Sequence, residues 1–252
     1  MRRGFTDIHH HLIYGVDDGA RDLRTSVKMA ELAWKTGTRR IIATPHVTPG
    51  IDPIPMEKYQ SRLEELREAC RKAQIELEIL LGAEILYTDM TCGYLGDGRV
   101  PTLAGTEYVL VEFMPGVRYD ALRTALRNIL RTGYVPVIAH VERYTCLSSS
   151  ARRASELKRE LDGVLYQMNC STVIGGRGFF NDLHMRRMLD EGLIDMTASD
   201  AHNLRERPTR MREAYQKLRD SYDAEYAASL TGLTDSSDFW YAIHASGAAQ
   251  TR

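Results

Sequence analysis

No apolar run in this chain approaches the roughly 18 to 20 residues that a helix needs to cross a bilayer. The amino terminus also lacks an apolar stretch of roughly 7 to 15 residues, the mark of a secretory leader. Cysteine is scarce and scattered. Cys70, Cys92, Cys146 and Cys170 form no C-x-x-C pair, which argues against a zinc ribbon or a disulfide framework and leaves reduced thiols. Charge of either sign is not in excess, the formal net value being -1. With no basic stripe, neither nucleic acid nor an anionic membrane is an expected partner. No linker-like composition divides the 252 residues. The expectation is therefore a cytoplasmic protein without membrane insertion and with one domain over residues 1–252, long enough to bury a sizeable core. From about residue 233 the pattern weakens; Phe239, Trp240 and Ile243 are expected to close the fold with a short helix. Oligomeric state stays open.

Short β-like runs are present throughout, each followed by a helical pattern. After Gly4 to Ile8 come RRIIAT (39–44), LEILL (77–81), YVLVEF (108–113), VPVIA (135–139), VLYQMN (164–169) and IDMTA (194–198), seven candidate strands. Asp22 is placed to cap a helix that stops at Gly37. A second helix over Tyr119 to Thr132 sets Leu122, Ala125, Leu126, Ile129 and Leu130 on one face, with Gly133 as its left-handed stop. Residues 57–73, 151–161 and 182–191 continue the alternation, and one long charged helix is expected after Pro208. Repeated βα units without hairpin signals predict a parallel α/β barrel. The three prolines of TPGIDPIPM (48–56) predict a stiff surface loop.

In such a barrel the carboxyl ends of the strands share one rim, where active sites form. Six of the seven runs lead into His, Asp or Glu: His9, His10 and His11; His46; Glu84; Glu112; His140; and Asp200 with His202. A lone histidine or carboxylate at a strand end is ordinarily a turn or solvated residue. Six converging on one rim are not. His9 and His11 stand at i and i+2, so both can grip one cation while His10 faces away. Asp200 and His202 repeat that spacing. Mixed imidazole and carboxylate ligands suit manganese, iron or zinc, and so many of them imply two or three ions, a cluster that clamps phosphoryl groups. Arg143 and Arg207 follow His140 and His202 closely, and their planar forks match phosphate oxygens.

DIHHHLIYGVDDG, ATPH, GAEI, LVEF, PVIAHVERY and ASDAHN occur in this order over nearly the whole chain. Together they resemble the polymerase and histidinol phosphatase (PHP) superfamily, and within it the bacterial metal-dependent tyrosine-protein phosphatases of capsular and exopolysaccharide operons. The resemblance implies a distorted (β/α)7 barrel, similar to a TIM barrel, with a trinuclear, usually manganese-dependent centre; iron, zinc, cobalt and magnesium are the other candidates. It implies one ion on His9, His11 and Asp200, with Glu84 bridging to a second held by Glu112 and His140, and a third on Asp18, His46 and His202. Arg143 and Arg207 match phosphate-binding arginines, and the proton for the leaving group would come from His202 or a metal-bound water. The implied substrate is the phosphotyrosine tail of a bacterial tyrosine kinase that controls polysaccharide synthesis, hydrolysed by a metal-activated hydroxide without a phosphoenzyme.

Two departures touch the mouth of the site: His10 replaces a small residue, and Val47 replaces a basic one, next to the proline-rich 48–56 loop. Histidinol-phosphate phosphatase is the alternative enzyme, since it would use nearly the same ligands. Cys146 to Arg152 also satisfies C-x5-R, the nucleophile loop of cysteine-dependent tyrosine phosphatases. It lacks both a glycine and a strand entering the cysteine. An inactive metal-binding regulator would normally have lost a ligand, and none is missing.

Overall fold

Alternation of β-branched runs with amphipathic helices yields a mixed α/β fold around a curled parallel sheet in the computed structural model of the chain, which describes residues 3–175 and 179–233. The strands are β1 Phe5–His10, β2 Thr38–Ala43, β3 His46–Val47, β4 Glu78–Leu81, β5 Glu84–Leu86, β6 Tyr108–Glu112, β7 Val135–Ile138, β8 Leu165–Asn169 and β9 Met196–Ala198. All pairings are parallel, in the orders β1-β2-β4 and β3-β5-β6-β7-β8-β9. A bridge between His10 and Ala201 links the end of β1 to the chain after β9.

Among the described residues nine runs appear where seven were expected, because two are interrupted. Pro45, which has no N–H, separates β2 from β3, and Gly82 with Ala83 separates β4 from β5. The partner offset of 38 residues is nevertheless the same on both sides of the break, from Ala43↔Leu81 to His46↔Glu84. Gly82 N–H donates to Ala43 O at 2.8 Å and Glu84 N–H to Pro45 O at 3.1 Å, so the ladder continues through the gap. A Cβ on Gly82 would lie 2.8 Å from Ile42 Cγ2, so glycine is what fits between the two ladders.

The helices are α1 Leu23–Lys35, α2 Met56–Lys72, α3 Thr91–Gly96, α4 Tyr119–Arg131, α5 Thr145–Ser148, α6 Ala151–Glu160, α7 Cys170–Ile174, α8 Phe179–Asp190, α9 Met211–Ser221 and α10 Ala224–Leu230. Asp22 caps α1 by accepting from Thr25 N–H at 2.7 Å, and Gly37 and Gly133 follow α1 and α4 with φ of 103° and 87°. Leu122, Ala125, Leu126 and Ile129 of α4 are buried as their spacing requires. The long helix expected after Pro208 is two: Asp223 accepts from Tyr226 N–H and starts α10 afresh. Phe239, Trp240 and Ile243 lie outside the described residues.

Three apolar clusters result. Ile8, Ile42, Leu110, Val137, Ala139, Met196 and Ala198 fill the concave side of the sheet. α1 and α2 cover β2 and β4, and α4, α6 and α9 cover the remaining strands. The concave side determines the site, because Glu112 and Asp200 continue the alternation of Leu110 and Ala198. β1 reaches it through a bulge. Asp7 pairs with Ile41 but His10 with Ala43, three positions on β1 against two on β2. Ile8 therefore packs with the concave cluster, while His9 and His11 still turn their rings to the same side beyond it.

Candidate metal centre

Every strand-end residue singled out above except His10 meets at one place. His9 and His11 close β1, His46 opens β3, Glu84 opens β5 and Glu112 ends β6; His140, Asp200 and His202 follow β7 and β9. Two of these positions hold the backbone left-handed without glycine, His140 at φ 34° and Asp200 at φ 52°. Such conformations cost about 1–3 kcal/mol each and persist where neighbours enforce them. Here Gln167 Oε1 accepts from His140 N–H at 2.8 Å, and Asp200 N–H donates to His9 O at 2.9 Å.

The ligand atoms form three overlapping groups, each within 4.8 Å: His9, His11, Glu84 and Asp200; His11, Asp18, His46 and His202; and His46, Glu84 and Glu112. His140 Nε2 adjoins the last, 2.7 Å from Glu84 Oε1 and 3.6 Å from Glu112 Oε2. The first group is sealed. His9 is 0% and Glu84 1% exposed, whereas the Asp18 side chain is 63% and that of His46 37% exposed, so solvent enters from their side.

Outer partners orient the rings. His9 Nδ1 faces Gln167 Oε1 at 3.2 Å, His11 Nδ1 faces Asp17 Oδ2 at 2.8 Å and His202 Nδ1 faces Asp200 O at 2.9 Å. Each partner is an acceptor, so each Nδ1 donates outward and Nε2 is the nitrogen turned toward the centre. His140 Nδ1 faces Tyr144 Oη at 3.3 Å. The inward atoms then crowd: His9 Nε2 and His11 Nε2 are 3.1 Å apart, Glu84 Oε2 lies 3.0 Å from the first and 3.2 Å from the second, and His202 Nε2 is buried without a hydrogen-bond partner. Converging lone pairs and carboxylates repel unless a cation lies among them, so this donor set fits divalent metal.

Protonation answers to the same field. Burial alone would depress His11, but the Asp17, Asp200 and Glu84 carboxylates, accepting from its ring, hold it well above its usual value. His140, likewise opposed by burial, is raised to about 9 by Glu112 and Glu84. Glu84 is held well below the carboxylate range, burial being outweighed by His9, His11 and His140; Asp200 is lowered as well, by His9 and His11. His202, buried and close to His11, is pushed down to about 4. A metal would compete with the protons on His11 and His140.

Both arginines converge on one carboxylate: Arg143 Nη2 lies 2.7 Å from Asp200 Oδ2 and Arg207 Nη2 2.8 Å from Asp200 Oδ1. At 36% and 39% exposure they face the open side. The proline-rich loop also reaches the mouth, where Thr48, Asp52, Pro53 and Pro55 line a cleft of about 540 Å³ together with Asp18 and His46.

Three positioning residues escaped the sequence reading. Gln167 and Asn169 come from β8, the strand that had offered no His, Asp or Glu. Gln167 Nε2 donates to Asn169 Oδ1 at 2.8 Å, and Asn169 Nδ2 to Asp200 Oδ2 at 2.8 Å. Their i, i+2 spacing, the same as that of His9 and His11, was the available signal. Asp17, next to the chosen Asp18, holds His11 and also accepts from Gly19 N–H at 2.9 Å. His10 points away, fully buried with neither ring nitrogen partnered, and burial lowers it to about 3. The C-x5-R loop is no phosphate cradle. Burial raises the Cys146 thiol, and the Arg152 side chain is 85% exposed on α6, paired with Glu156.

Comparison with known proteins agrees with this geometry. The family model for capsular polysaccharide synthesis, CpsB/CapC, matches residues 5–235. The tyrosine-protein phosphatase CpsB of Streptococcus pneumoniae is 34% identical over 230 residues, 89% of this chain and 93% of that protein. YwqE of Bacillus subtilis, also a tyrosine-protein phosphatase, is 30% identical over 225 residues, 89% and 88% of the two chains. A crystal structure from the pair YwqE and CpsB, described as unique metal-dependent tyrosine phosphatases, superposes with a TM-score of 0.81 at 30% identity, covering 90% of this chain and 91% of that one.

Proposed function

The chain belongs to the CpsB/CapC capsular polysaccharide synthesis family, and we propose that it is a metal-dependent tyrosine-protein phosphatase. The observation that carries this reading is the convergence of five imidazoles and the carboxylates of Asp18, Glu84, Glu112 and Asp200 beside two arginines that meet on Asp200. Relatives at 30–34% identity over most of their length carry the same activity in their names.

In this reading His9, His11, Asp200 and Glu84 hold one ion, and Glu84, Glu112 and His140, with His46 close by, hold a second. Asp18, His46 and His202 hold a third, manganese being the preferred metal. Such ions, when bound, acidify a coordinated water and offset phosphoryl charge. Arg143 and Arg207 release part of their hold on Asp200 to a phosphoryl group and present N–H donors to its oxygens as negative charge moves in the transition state. Gln167, Asp17 and Tyr144 keep the imidazoles in register. His202 serves as a ligand rather than an acid in this reading, because its Nδ1 is engaged with Asp200 O and only Nε2 faces the centre. The proton for a tyrosyl leaving group comes from water, the phenol being acidic enough to depart without a dedicated donor.

We read the architecture as a distorted (β/α)7 barrel in one domain. The unbroken offset across the β2–β3 and β4–β5 interruptions and the His10 bridge to Ala201 support this count. The substrate is read as the phosphotyrosine tail of a bacterial tyrosine kinase in the cytoplasm. Among the described residues no helix is long and apolar enough to cross a membrane, in keeping with that setting.

Metal-stripped and manganese-reloaded protein assayed on a phosphotyrosine peptide and on histidinol phosphate tests the proposal. Peptide hydrolysis restored by manganese, lost in His140→Ala and kept in Cys146→Ser is the expected result. Preference for histidinol phosphate, or loss only in Cys146→Ser, would overturn it.

A further inference from the structure

A second cleft, of about 700 Å³, opens on the His202 side of the metal centre, between the start of α1 and the loop after β9. Arg21, Arg24 and Lys28 line one wall, and Arg205 lies on the other. Arg24 and Lys28 stand at i and i+4 and so share a face of α1. All four are exposed. Arg21 is engaged by Asp22 at 3.1 Å, and Asp22 is itself taken up in capping α1. Among the described residues, Arg24, Lys28 and Arg205 have no carboxylate within ion-pair distance, and Glu206 is the cleft's one remaining acid. The 540 Å³ cleft on the His46 side holds no lysine or arginine, and of its acids Asp18 and Glu112 belong to the metal centre and Asp17 to His11, which leaves Asp52. The two clefts adjoin, the His46 and His202 rings being 5.9 Å apart. The unpaired positive charge of the two clefts therefore lies on the α1 side.

We propose that the Arg24, Lys28 and Arg205 cleft is a substrate subsite that takes an anionic side chain, a carboxylate or a second phosphate, flanking the phosphotyrosine. This rests on the phosphatase reading and deepens it. Exposed cations left unpaired next to a catalytic centre concentrate and orient negative ligands. The preferred substrate is thus an acidic or multiply phosphorylated tyrosine segment, bound with its negative side over α1.

Three phosphotyrosine peptides test this on the full manganese-loaded chain: one with neutral flanks, one with Asp and Glu on both flanks, and one with a second phosphotyrosine. Wild-type protein is expected to favour an anionic flank roughly five- to tenfold in kcat/KM, through KM, with a preference that shrinks as salt rises. Arg24→Glu, Lys28→Glu and Arg205→Glu combined should bring the ratio to about one; the corresponding Gln variants serve if the reversal does not fold. A carboxylate flank as effective as a phosphate marks general anion selection, and an advantage for the second phosphate alone narrows the subsite to phosphate. Equal kcat/KM for all three peptides in the wild type, or a preference that survives in the variants, would overturn the subsite while leaving the phosphatase reading intact. Failure to hydrolyse even the neutral peptide would remove both.

Discussion

Gln167 Oε1 lies 3.2 Å from His9 Nδ1 and fixes that ring with Nε2 turned toward His11, Glu84 and Asp200. The same oxygen accepts from the left-handed His140 backbone, so one amide positions two imidazoles. Gln167→Ala should therefore weaken manganese binding by roughly 10- to 100-fold, the usual effect of losing an outer partner of a ligand. Isothermal titration of the stripped protein measures it. Unchanged affinity would show that packing alone holds His9.

Arg143 and Arg207 share Asp200, while His9, His11 and Glu84 surround it independently of them. Arg143→Ala and Arg207→Ala should each lower kcat on a phosphotyrosine peptide by roughly 10²- to 10³-fold while manganese affinity changes much less, as for removal of one donor to transition-state charge. Arg143→Lys should rescue poorly, since an ammonium lacks the planar fork. Loss of metal in proportion to activity would instead assign both arginines to holding Asp200.

Gly19 ends the VDDG stretch for a steric reason. A Cβ there would meet His11 O at 2.2 Å and His11 Cβ at 2.5 Å. Gly19→Ala should cost about 2–3 kcal/mol, as overpacking does, and displace Asp17 from His11, so manganese affinity falls too. Urea unfolding and metal titration check both effects; a stable variant with full affinity would mean that the loop relaxes freely.

Away from the centre, Lys158 Nζ lies 2.7 and 2.6 Å from the two oxygens of Asp195, with side chains 17% and 12% exposed. Burial pushes the Asp195 carboxyl above its ordinary value and Lys158 opposes this. A folded pKa above the unfolded one means that the fold favours the protonated acid, so this contribution to stability is greatest at low pH and is lost as pH rises through the folded value. Lys158→Met raises that value further. The variant should lose roughly 2–4 kcal/mol at neutral pH, the usual penalty for a broken buried pair discounted for partial exposure, and the deficit should shrink toward pH 4. Thermal melts between pH 4 and 8 test the sign. A deficit that grows on acidification would refute it.

Local signals were legible where their causes were local. Asp22 could be read as a cap and Gly37 and Gly133 as stops, because capping and left-handed turns involve neighbouring residues. The single charged helix after Pro208 was misread for the same kind of reason: Asp223, a cap residue within a helical pattern, was passed over. The chemistry of the site was readable because His, Asp and Glu announce themselves at strand ends. Gln167 and Asn169 did not, since amides are common on surfaces and acquire a role only from what they face.

The sequence by itself determined the alternation of strands with helices and the residue types able to hold metal. Only the tertiary structure decided that Ile8 and His9 both serve the concave side through the β1 bulge, that Asp17 orients His11 while Asp18 faces solvent, and that two arginines far apart in sequence meet on Asp200. The physical reason is register. Propensity and periodicity act within a few residues, whereas the facing of a side chain across a sheet depends on how separate strands pair, and one inserted residue changes it.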